Sequence, residues 1–597
     1  MRKQEIKIYK GQMLCDIMDS IKSNTIIEKT LCGIGATTLE LKFERNSIIV
    51  EPNIPVITGK MQHYPTICGV YDGVTTKDIT EYIKNQSGFK KIMTTPEGFI
   101  KIKSACRRLK INMWKEYFLL FDECEKLVQD IDYRKNISLP LKDFFKFDNK
   151  AIVSATPIIP SDPRFKEQDF IHIKVQPNYN YRSKLLLYQT NSPILLACFA
   201  IQQVLKKQKT VCVFFNTVKG ISNIIEKLNI MGQSNIYCGK ESAAELSKEG
   251  LTNVFSEIIT DKNGFAQLNK CNFFTSRFYS AVDINLQYMP VVIIVSDAYS
   301  YPFTMVDPKT ESIQIFGRFR NGVAKRVHIT NYNYKLQIKT QSQLKAYLEG
   351  QHEIYSELYE KRCATIKAGE VDILDQALMS VDYARYVDEN CSINHFMYDN
   401  AYADELTKGL YKNKAGIKKG YEDTLAYDVK YKYIPLSISN MERISLENKR
   451  LGKTDLNKLI FKLLKRLCRK DNQYNEFLLA DLKKNFPLMC EAYKVLGEHE
   501  LAQTDFSPKR ISAALAKKKG LLKEMQKGIV SAIHNHFNED AWYPTTEINT
   551  FIKTTYESFN ITVDGRGCSN KIKLYYMAVE EHHRDKRGWK LGKKIVT

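Results

Sequence analysis

Short apolar runs that end in polar residues recur through the first half of the chain. Each has the length of a buried β-strand, and they occupy residues 48–50, 117–121, 151–153 and 211–215. Segments with helical character lie among them, including 192–207 and 219–228. Alternation of strands and helices predicts an α/β architecture built on parallel sheets.

The pattern changes after a last strand predicted at 327–330. Most of 336–535 lacks strand-like runs, so we expect a helical region there. One apolar face at helical spacing is formed by Leu456, Leu459, Ile460, Leu463, Leu464 and Leu467. Lysines and arginines flank this face, and a second basic segment covers 509–527. Two interpretations stay open for both segments: an ordinary helix with a solvated basic face, or a face that follows nucleic-acid phosphates.

The end of the chain, 536–597, differs again. Helices are predicted at 545–552 and 570–578, followed by a basic tail. This layout loosely resembles the winged-helix modules that end some viral and phage replication helicases, and a small α/β cap without DNA contact is the alternative. In a winged helix, 570–578 would be the recognition helix. The lysines near phosphates and the basic wing residues would be Lys571, Lys573, Arg584, Lys586 and Arg587.

Charge favours a nucleic-acid partner. The 597 residues include 89 Lys and Arg against 67 Asp and Glu, a formal charge of +22, which attracts polyanions in a salt-dependent way. No apolar run reaches the roughly 18 to 20 residues of a membrane-spanning helix. The first residues lack the apolar core of a signal peptide. We therefore expect a cytoplasmic protein without a membrane partner.

Cysteine usage agrees with that expectation. The 14 cysteines stand singly, without the spacing of zinc ligands or of a disulfide framework. Cys198 and Cys212 fall in apolar runs and are expected to be small core side chains. The sequence predicts a reducing compartment and no structural metal.

The candidate chemistry lies in three motifs. They are Asp122-Glu123-Cys124-Glu125 after one strand, Ser154-Ala155-Thr156-Pro157 after the next, and Gln314-Ile315-Phe316-Gly317-Arg318-Phe319-Arg320. Carboxylates at a strand end suit a divalent metal beside a phosphate chain. Two guanidinium groups two residues apart can bind one anion. In order and spacing these motifs resemble those of the superfamily 2 helicases and translocases, the DEAD/DEAH-like proteins with two RecA-like lobes.

The resemblance covers 20–330 and implies further sites. It implies nucleic-acid contacts after strands of both lobes, at Pro52, Thr94, Thr95, Thr275 and Ser276. It places Asp283 at the nucleotide, and it makes Ser154 and Thr156 couple the state of the nucleotide to lobe closure.

Four domains follow from the patterns and the resemblance together. The fold class is α/β, with two RecA-like parallel-sheet lobes, a helical region and a small winged-helix-like domain. The expected bounds are 1–175, 176–335, 336–535 and 536–597, and the polar stretch 176–181 is the expected linker between the lobes.

The phosphate-binding loop departs from the family pattern. The family has Gly-x-Gly-Lys-Thr, in which backbone N–H groups cradle phosphates and the lysine reaches the β- and γ-phosphates. Here Gly33, Gly35 and Thr37 are kept, but Ala36 stands where the lysine is expected.

Three explanations of this departure are open. A nearby cation such as Lys29 or Lys60 fills the gap; the site binds nucleotide without turnover; or only the scaffold survives and grips nucleic acid. The intact acidic and arginine motifs favour some retained use of nucleotide.

The resemblance implies ATP or another NTP, with Mg²⁺, between the lobes. Asp122 would hold Mg²⁺ and Glu123 would activate water. Gln314 would sense the nucleotide, and Arg318 and Arg320 would reach the γ-phosphate. The loop residues at the phosphates and metal would be Gly33, Gly35, Ala36, Thr37 and Thr38, with Thr37 as the metal ligand among them.

The resemblance and the charge together predict an ATP-dependent helicase or translocase in replication or remodelling, acting on nucleic acid, with DNA preferred. Other replication proteins are further candidate partners. The Lys-, Asn- and Ile-rich composition indicates an A·T-rich genome. Together with the C-terminal layout and the altered phosphate loop, it favours a phage or mobile-element protein in the host cytoplasm. The alternative is a weakened or non-hydrolysing DNA-binding or assembly protein that reuses the helicase scaffold.

Overall fold

The computed structural model describes residues 1–595 except 32, 53, 124–142, 157–159, 249, 280–282, 382, 384–394, 439–441, 443–450, 469–472 and 562–567. Three residues of the predicted motifs therefore lie outside the described residues: Cys124, Glu125 and Pro157. The chain divides into two compact units, Met1–Asn440 and Met441–Thr597.

The first lobe is built on an eight-stranded sheet in which all neighbouring strands are parallel. Its strands are β1 (Arg2–Ile8), β2 (Thr25–Glu28), β3 (Ser47–Val50), β4 (Ile67–Val70), β5 (Lys91–Thr94), β6 (Phe118–Asp122), β7 (Asn149–Ser154) and β8 (Ile171–Pro177). Their spatial order is β1-β8-β2-β7-β6-β3-β5-β4. Its helices are α1 (Ala36–Lys42), α2 (Ile54–His63), α3 (Thr76–Asn85), α4 (Phe99–Arg108), α5 (Met113–Glu116) and α6 (Arg164–Glu167).

Both faces of this sheet are covered, which is why its strands read as continuous apolar runs. Strand β6 shows this most directly. Leu119 and Phe121 pack into the core on one face, and Phe118 and Leu120 pack into the core on the other. The strand then ends in the buried carboxylate of Asp122.

The second lobe is also built on an eight-stranded parallel sheet. Its strands are β9 (Ser183–Thr190), β10 (Val211–Phe214), β11 (Ser234–Tyr237), β12 (Val254–Phe255), β13 (Cys271–Phe274), β14 (Val291–Ser296), β15 (Lys325–Thr330) and β16 (Tyr427–Ile434). Their spatial order is β12-β11-β13-β10-β14-β15-β9-β16. Its helices are α7 (Pro193–Lys206), α8 (Val218–Leu228), α9 (Lys240–Lys248) and α10 (Glu311–Gly317).

The predicted fold class is confirmed: two parallel-sheet lobes precede a helical region and a small C-terminal sheet. One strand departs from the expected helical region, because β16 lies within 336–535 and pairs with β9. Tyrosines alternate there with charged residues, so one side packs on the lobe and the other faces solvent. The second lobe's core also includes Tyr411 and Tyr421, beyond the boundary expected at 335.

The remaining helices of the first unit are α11 (Gln341–Ala364), α12 (Ala368–Ser380), α13 (His395–Tyr411) and α14 (Gly416–Asp423). The second unit opens with α15 (Lys453–Cys468), α16 (Gln473–Asn485), α17 (Pro487–Ala502) and α18 (Pro508–His536). The apolar face predicted near 456–467 is the buried face of α15, since Ile460, Leu463, Leu464 and Leu467 are buried. Whether its basic face follows phosphates stays a prediction.

The C-terminal part of the second unit contains β17 (Trp542–Pro544), α19 (Thr545–Ser558), β18 (Tyr576–His583) and β19 (Lys586–Lys594), arranged as an antiparallel sheet β17-β19-β18 beside the helix. The helix predicted at 570–578 is wrong in type and bounds. A 3₁₀ helix, Cys568–Leu574, takes its place. Tyr576 is instead buried in β18 and donates from its hydroxyl to the Phe537 carbonyl.

Candidate active site

Polar residues after five neighbouring strands of the first lobe meet at one edge of its sheet. Carboxyl ends of parallel strands lie at a common edge, and the order β2-β7-β6-β3-β5 sets the neighbours. In that order the residues at or just after the strand ends are Lys29, Ser154, Asp122, Glu51 and Thr95. The edge therefore carries a cation, two carboxylates and two hydroxyls.

The glycine loop turns back over this edge. Thr30, Gly33 and Gly35 have positive φ angles of 58°, 78° and 84°, a region that glycine enters at little cost. The space around the two glycines is also tight for a side chain. A Cβ on Gly35 would lie 3.1 Å from Met13 Cε, and one on Gly33 would lie 3.1 Å from Arg320 Nη1.

Asp122 joins the loop to the strand edge. Its Oδ1 accepts a hydrogen bond from Lys29 Nζ at 2.8 Å, and its Oδ2 accepts one from the Thr37 hydroxyl. Burial disfavours the charged carboxylate, but the charge and hydrogen bond of Lys29, together with Thr37, hold the pKa of Asp122 below its usual value. Asp122 is therefore an anion ready to hold a cation.

Glu123 follows in a left-handed backbone conformation, with φ of 50°. Its N–H donates to Asp122 Oδ1 at 3.0 Å, so the turn fixes the two carboxylates relative to each other. Oε1 of Glu123 accepts from Arg318, while Oε2 is buried and has no hydrogen-bond partner among the described residues. A buried carboxylate oxygen left unpaired is costly unless a bound group satisfies it.

A third carboxylate, Glu51, lies buried at the end of β3. Burial and the negative charges of Asp122 and Glu123 raise its pKa well above the usual value, against the opposing charges of Lys29 and Lys60. Glu51 was not among the site residues predicted from the sequence. An acid directly after the strand beside β6 was the available signal.

Lys60 contacts the loop from α2. Its Nζ donates to Thr38 Oγ1 at 2.9 Å. Burial lowers the pKa of Lys60 and nearby Arg320 adds to this, while Glu51, Asp122 and Asp283 favour its charge. Both lysines suggested as replacements for the missing cation therefore lie at the loop.

The second lobe contributes from the end of α10 rather than from a strand. Arg318 is 1% exposed, and its Nη2 donates to Gln314 Oε1 at 2.7 Å and to Glu123 Oε1 at 3.3 Å. Arg320 Nη2 lies 2.8 Å from Asp283 Oδ1, which is also 3.8 Å from Arg318 Nη1. Both arginines thus converge on the first lobe's acids and glycine loop.

The predicted coupling residues form a second contact between the lobes. Gln314 Nε2 lies 3.4 Å from the hydroxyl of Thr156. The N–H of Thr156 donates to Ser154 Oγ at 2.9 Å, so the turn after β7 is rigidly tied. The structure brings these residues together, and their role in coupling stays a prediction.

The nucleic-acid residues predicted in the lobes support turns in this conformation. Thr94 is fully buried and donates its hydroxyl to the Val70 carbonyl, and Thr95 Oγ1 accepts from the Gly98 N–H. A nucleic-acid contact by Thr94 would require that turn to open.

The remaining three predicted contacts also sit at strand ends. Pro52 is buried after β3. Thr275 N–H donates to the Tyr237 carbonyl after β13, and the Ser276 N–H donates to Asn216 Oδ1 at 3.1 Å. Their contacts with nucleic acid stay predictions.

The basic residues predicted in the second unit are mostly exposed. Arg584, Lys586 and Arg587 lie at the exposed β18–β19 turn, where Arg587 pairs with Glu580. Lys571 Nζ lies 5.3 Å from the centre of the Tyr556 ring, and Lys573 Nζ lies 4.7 Å from that of Trp589. The turn is positively charged, as a wing requires, whereas Lys571 and Lys573 also pack on their own unit.

The residues present fit Mg²⁺. Among the described residues, no group of three His, Cys, Asp or Glu could hold a metal ion by itself. Mg²⁺ takes one or two carboxylates together with waters and substrate phosphates. Asp122 and the Thr37 hydroxyl supply oxygen ligands of that kind, and Glu123, whose N–H bonds Asp122, is the next residue of the chain.

Comparisons with known proteins give only distant similarity. No family model matches the chain, and no curated protein matches it. S. cerevisiae Dbp5 bound to RNA and ADP BeF3 is 14% identical with a TM-score of 0.32, covering 52% of this chain and 79% of that chain.

Two archaeal structures are similar at the same level. A DEAD box protein from the hyperthermophile Methanococcus jannaschii is 16% identical with a TM-score of 0.26, covering 52% of this chain and 82% of that chain. The helicase domain of Pyrococcus furiosus Hef is 11% identical with a TM-score of 0.29, covering 52% and 92%. Likenesses this distant say nothing about what this chain binds.

Proposed function

We propose that this chain is a nucleic-acid-dependent NTPase that works as a helicase or translocase. The observation that carries the proposal is the buried contact across the lobes. Arg318 of the second lobe donates to Glu123 of the first, directly beside Asp122 and the glycine loop. Phosphoryl transfer needs this combination: oxygen ligands for a metal, a carboxylate for the attacking water, and guanidinium groups for the charge of the transition state.

Each residue then has one role. Asp122 and Thr37 would hold Mg²⁺, which would neutralise charge on the phosphate oxygens. Glu123 orients and deprotonates the attacking water through Oε2, the oxygen to which no described residue donates a hydrogen bond. Arg318 and Arg320 stabilise the negative charge that spreads over the transferred phosphoryl group.

Coupling to movement follows from where the contacts lie. The residues that would touch the γ-phosphate come from both lobes, so binding and hydrolysis change the free energy of lobe closure. Gln314 responds to lobe closure because its Oε1 accepts from Arg318 and its Nε2 contacts the hydroxyl of Thr156 on the first lobe. Ser154 and Thr156 pass it to the turn after β7.

We propose DNA as the polymer and replication or remodelling as the setting, with other replication proteins as partners. The formal charge of +22 and the exposed basic turn at Arg584 and Lys586 support a polyanionic partner. The order of helix, strand, helix and hairpin at the C-terminus supports a winged-helix-like contact. The phage or mobile-element setting, in a host cytoplasm, rests on the composition, the C-terminal layout and the altered phosphate loop.

Phosphate release with and without single-stranded DNA tests the proposal. We expect DNA to accelerate release of phosphate from ATP, and Glu123→Gln to remove that release while ATP still binds. Glu44→Gln is the matched control, because Glu44 is an exposed acid of the same lobe outside the site.

The same assay separates the alternative, which Ala36 in the loop favours: a DNA-binding protein that does not hydrolyse nucleotide. Background release unaffected by either DNA or Glu123→Gln, together with tight DNA binding, would support this alternative and refute the motor.

A further inference from the structure

The position of the missing lysine is occupied by a residue without charge. Ala36 is 2% exposed and packs in an apolar cluster with Leu14, Ile34 and Leu39. The first turn of α1 therefore presents only the Thr37 and Thr38 hydroxyls at the loop. Positive charge for the β- and γ-phosphates has to come from another element.

Lys29 is placed to supply it. It directly follows β2, and its N–H donates to the Ser154 carbonyl at 2.6 Å, so its backbone is fixed at the sheet edge. Its buried side chain carries Nζ to 2.8 Å from Asp122 Oδ1, while Thr37 binds the other oxygen of the same carboxylate. Lys29 and the Thr37 hydroxyl thus both bond the carboxylate of Asp122, and Lys29 approaches it from the strand side of the loop.

Lys60 is the rival, and its surroundings differ. It bonds the hydroxyl of Thr38, the residue after the metal-binding threonine. Burial, and to a smaller extent the charge of Arg320, disfavour its protonated form, while the charges of Glu51, Asp122 and Asp283 favour it. Lys29 instead has the anion Asp122 as its direct partner. The geometry favours Lys29 at the phosphates and leaves Lys60 to hold the loop.

We propose that Lys29, delivered from the end of β2, replaces the phosphate-loop lysine that is absent at Ala36 and binds the β- and γ-phosphates of the nucleotide. The inference rests on the proposed function, since it names a residue of that same site. Asp122 holds Lys29 in place until a phosphate chain offers Nζ a more highly charged partner.

The test compares Lys29→Met, Lys60→Met and the relocated charge Lys29→Met/Ala36→Lys. For Lys29→Met we expect a loss of turnover of about 100-fold or more, the effect of removing one main electrostatic stabiliser. Affinity for ATP falls with it, while affinity for AMP, which has no β- or γ-phosphate, stays within about twofold. Lys60→Met keeps turnover within about tenfold, and the relocated charge restores part of the loss in Lys29→Met.

Thermal unfolding of each variant, with or without ATP, shows whether it is folded. Should Lys29→Met not fold, Ala36→Lys alone decides. We expect no gain in turnover, because the position for the charge is already filled, and a gain of tenfold or more would overturn the inference. Unchanged turnover and ATP affinity in folded Lys29→Met would overturn it as well.

The two failures are distinguishable. If wild-type protein releases no phosphate in the presence of DNA, the proposed function fails. If wild-type protein is active and Lys60→Met is the variant that loses ATP affinity and turnover, the proposed function stands and the assignment to Lys29 is wrong.

Discussion

The two lobes are built alike but deliver different chemistry. Each has eight parallel strands. In the first, the strand ends carry charge, with Lys29, Glu51 and Asp122 at one edge. In the second, buried polar groups at and just after the ends of β14 and β15 bond one another, and Asp297 Oδ1 accepts from Asn331 Nδ2 at 2.7 Å. There the buried His328 bonds Ser296 Oγ at 2.9 Å and the Tyr421 hydroxyl at 2.8 Å.

The charge that the second lobe directs at the first comes instead from the end of a helix. Arg318 follows α10, and its contact with Glu123 crosses from one sheet domain to the other. Groups at strand ends are held by their neighbours on both sides and keep their geometry. A guanidinium on the opposite lobe reaches the site only when the lobes are together. The first lobe thus provides a fixed part of the site, and the second provides a part that depends on lobe closure, the conditional contact between Arg318 and Glu123.

The largest effect should follow from breaking the conditional contact. We expect Arg318→Ala to lower DNA-stimulated phosphate release by about 1,000-fold, in the range known for arginine fingers. Arg320→Ala should cost less, about 10- to 100-fold, because this side chain is 36% exposed and pairs with Asp283. Rates are measured by single-turnover phosphate release with saturating ATP.

Arg326→Ala is the matched control for these two variants. Arg326 is a half-buried arginine of the same lobe, packed over the Phe316 ring at 5.8 Å and outside the site. Equal losses in Arg318→Ala and Arg326→Ala would mean that the second lobe is merely destabilised, which contradicts a role of Arg318 at the phosphate.

A smaller effect should show that the second lobe's strand edge is structural. Burial lowers the pKa of His328 from its usual value near 6.5 to about 3. Below pH 6.5, His328 is therefore protonated in the unfolded chain, whereas in the folded lobe it stays neutral down to about pH 3. The contribution of neutral His328 to the free energy of unfolding is fully present above pH 6.5. It falls as the pH falls, by up to about 1.4 kcal/mol per pH unit.

In His328→Gln this acid dependence should shrink by that amount, although the variant is less stable at every pH. Urea unfolding at pH 7, 6 and 5 measures the slope, and His582→Gln, an exposed histidine of the second unit, serves as the control. A slope identical to that of wild-type protein would show that His328 is not the neutral, buried group described here.

The sequence predicts much of this architecture because its signals are local. Apolar runs of strand length predicted the strand at 211–215 and the helix at 192–207 almost to the residue. Asp122, Glu123 and Arg318 were found by their order along the chain. No local pattern shows that Glu123 and Arg318 bond each other, because they are 195 positions apart and only the packing of the lobes brings them together.

Other features depend on packing that the sequence does not display. The contact of Lys29 with Asp122 depends on the burial of that carboxylate at the end of β6, and the burial of Glu51 depends on its neighbours in the sheet. Strand β16 was not expected because it joins β9 from far along the chain. In place of the helix predicted at 570–578, the chain forms the 3₁₀ helix Cys568–Leu574 and then β18, because Tyr576 packs in the core.

A double-mutant cycle of Glu123→Gln and Arg318→Ala tests the central claim, that both lobes act on one phosphoryl group. Single-turnover phosphate release is measured for wild-type protein, each single variant and the double variant. Residues that stabilise one transition state together are strongly non-additive. The account predicts a double variant about as slow as the slower single variant. Losses that multiply would contradict it, because each residue would then act independently of the other.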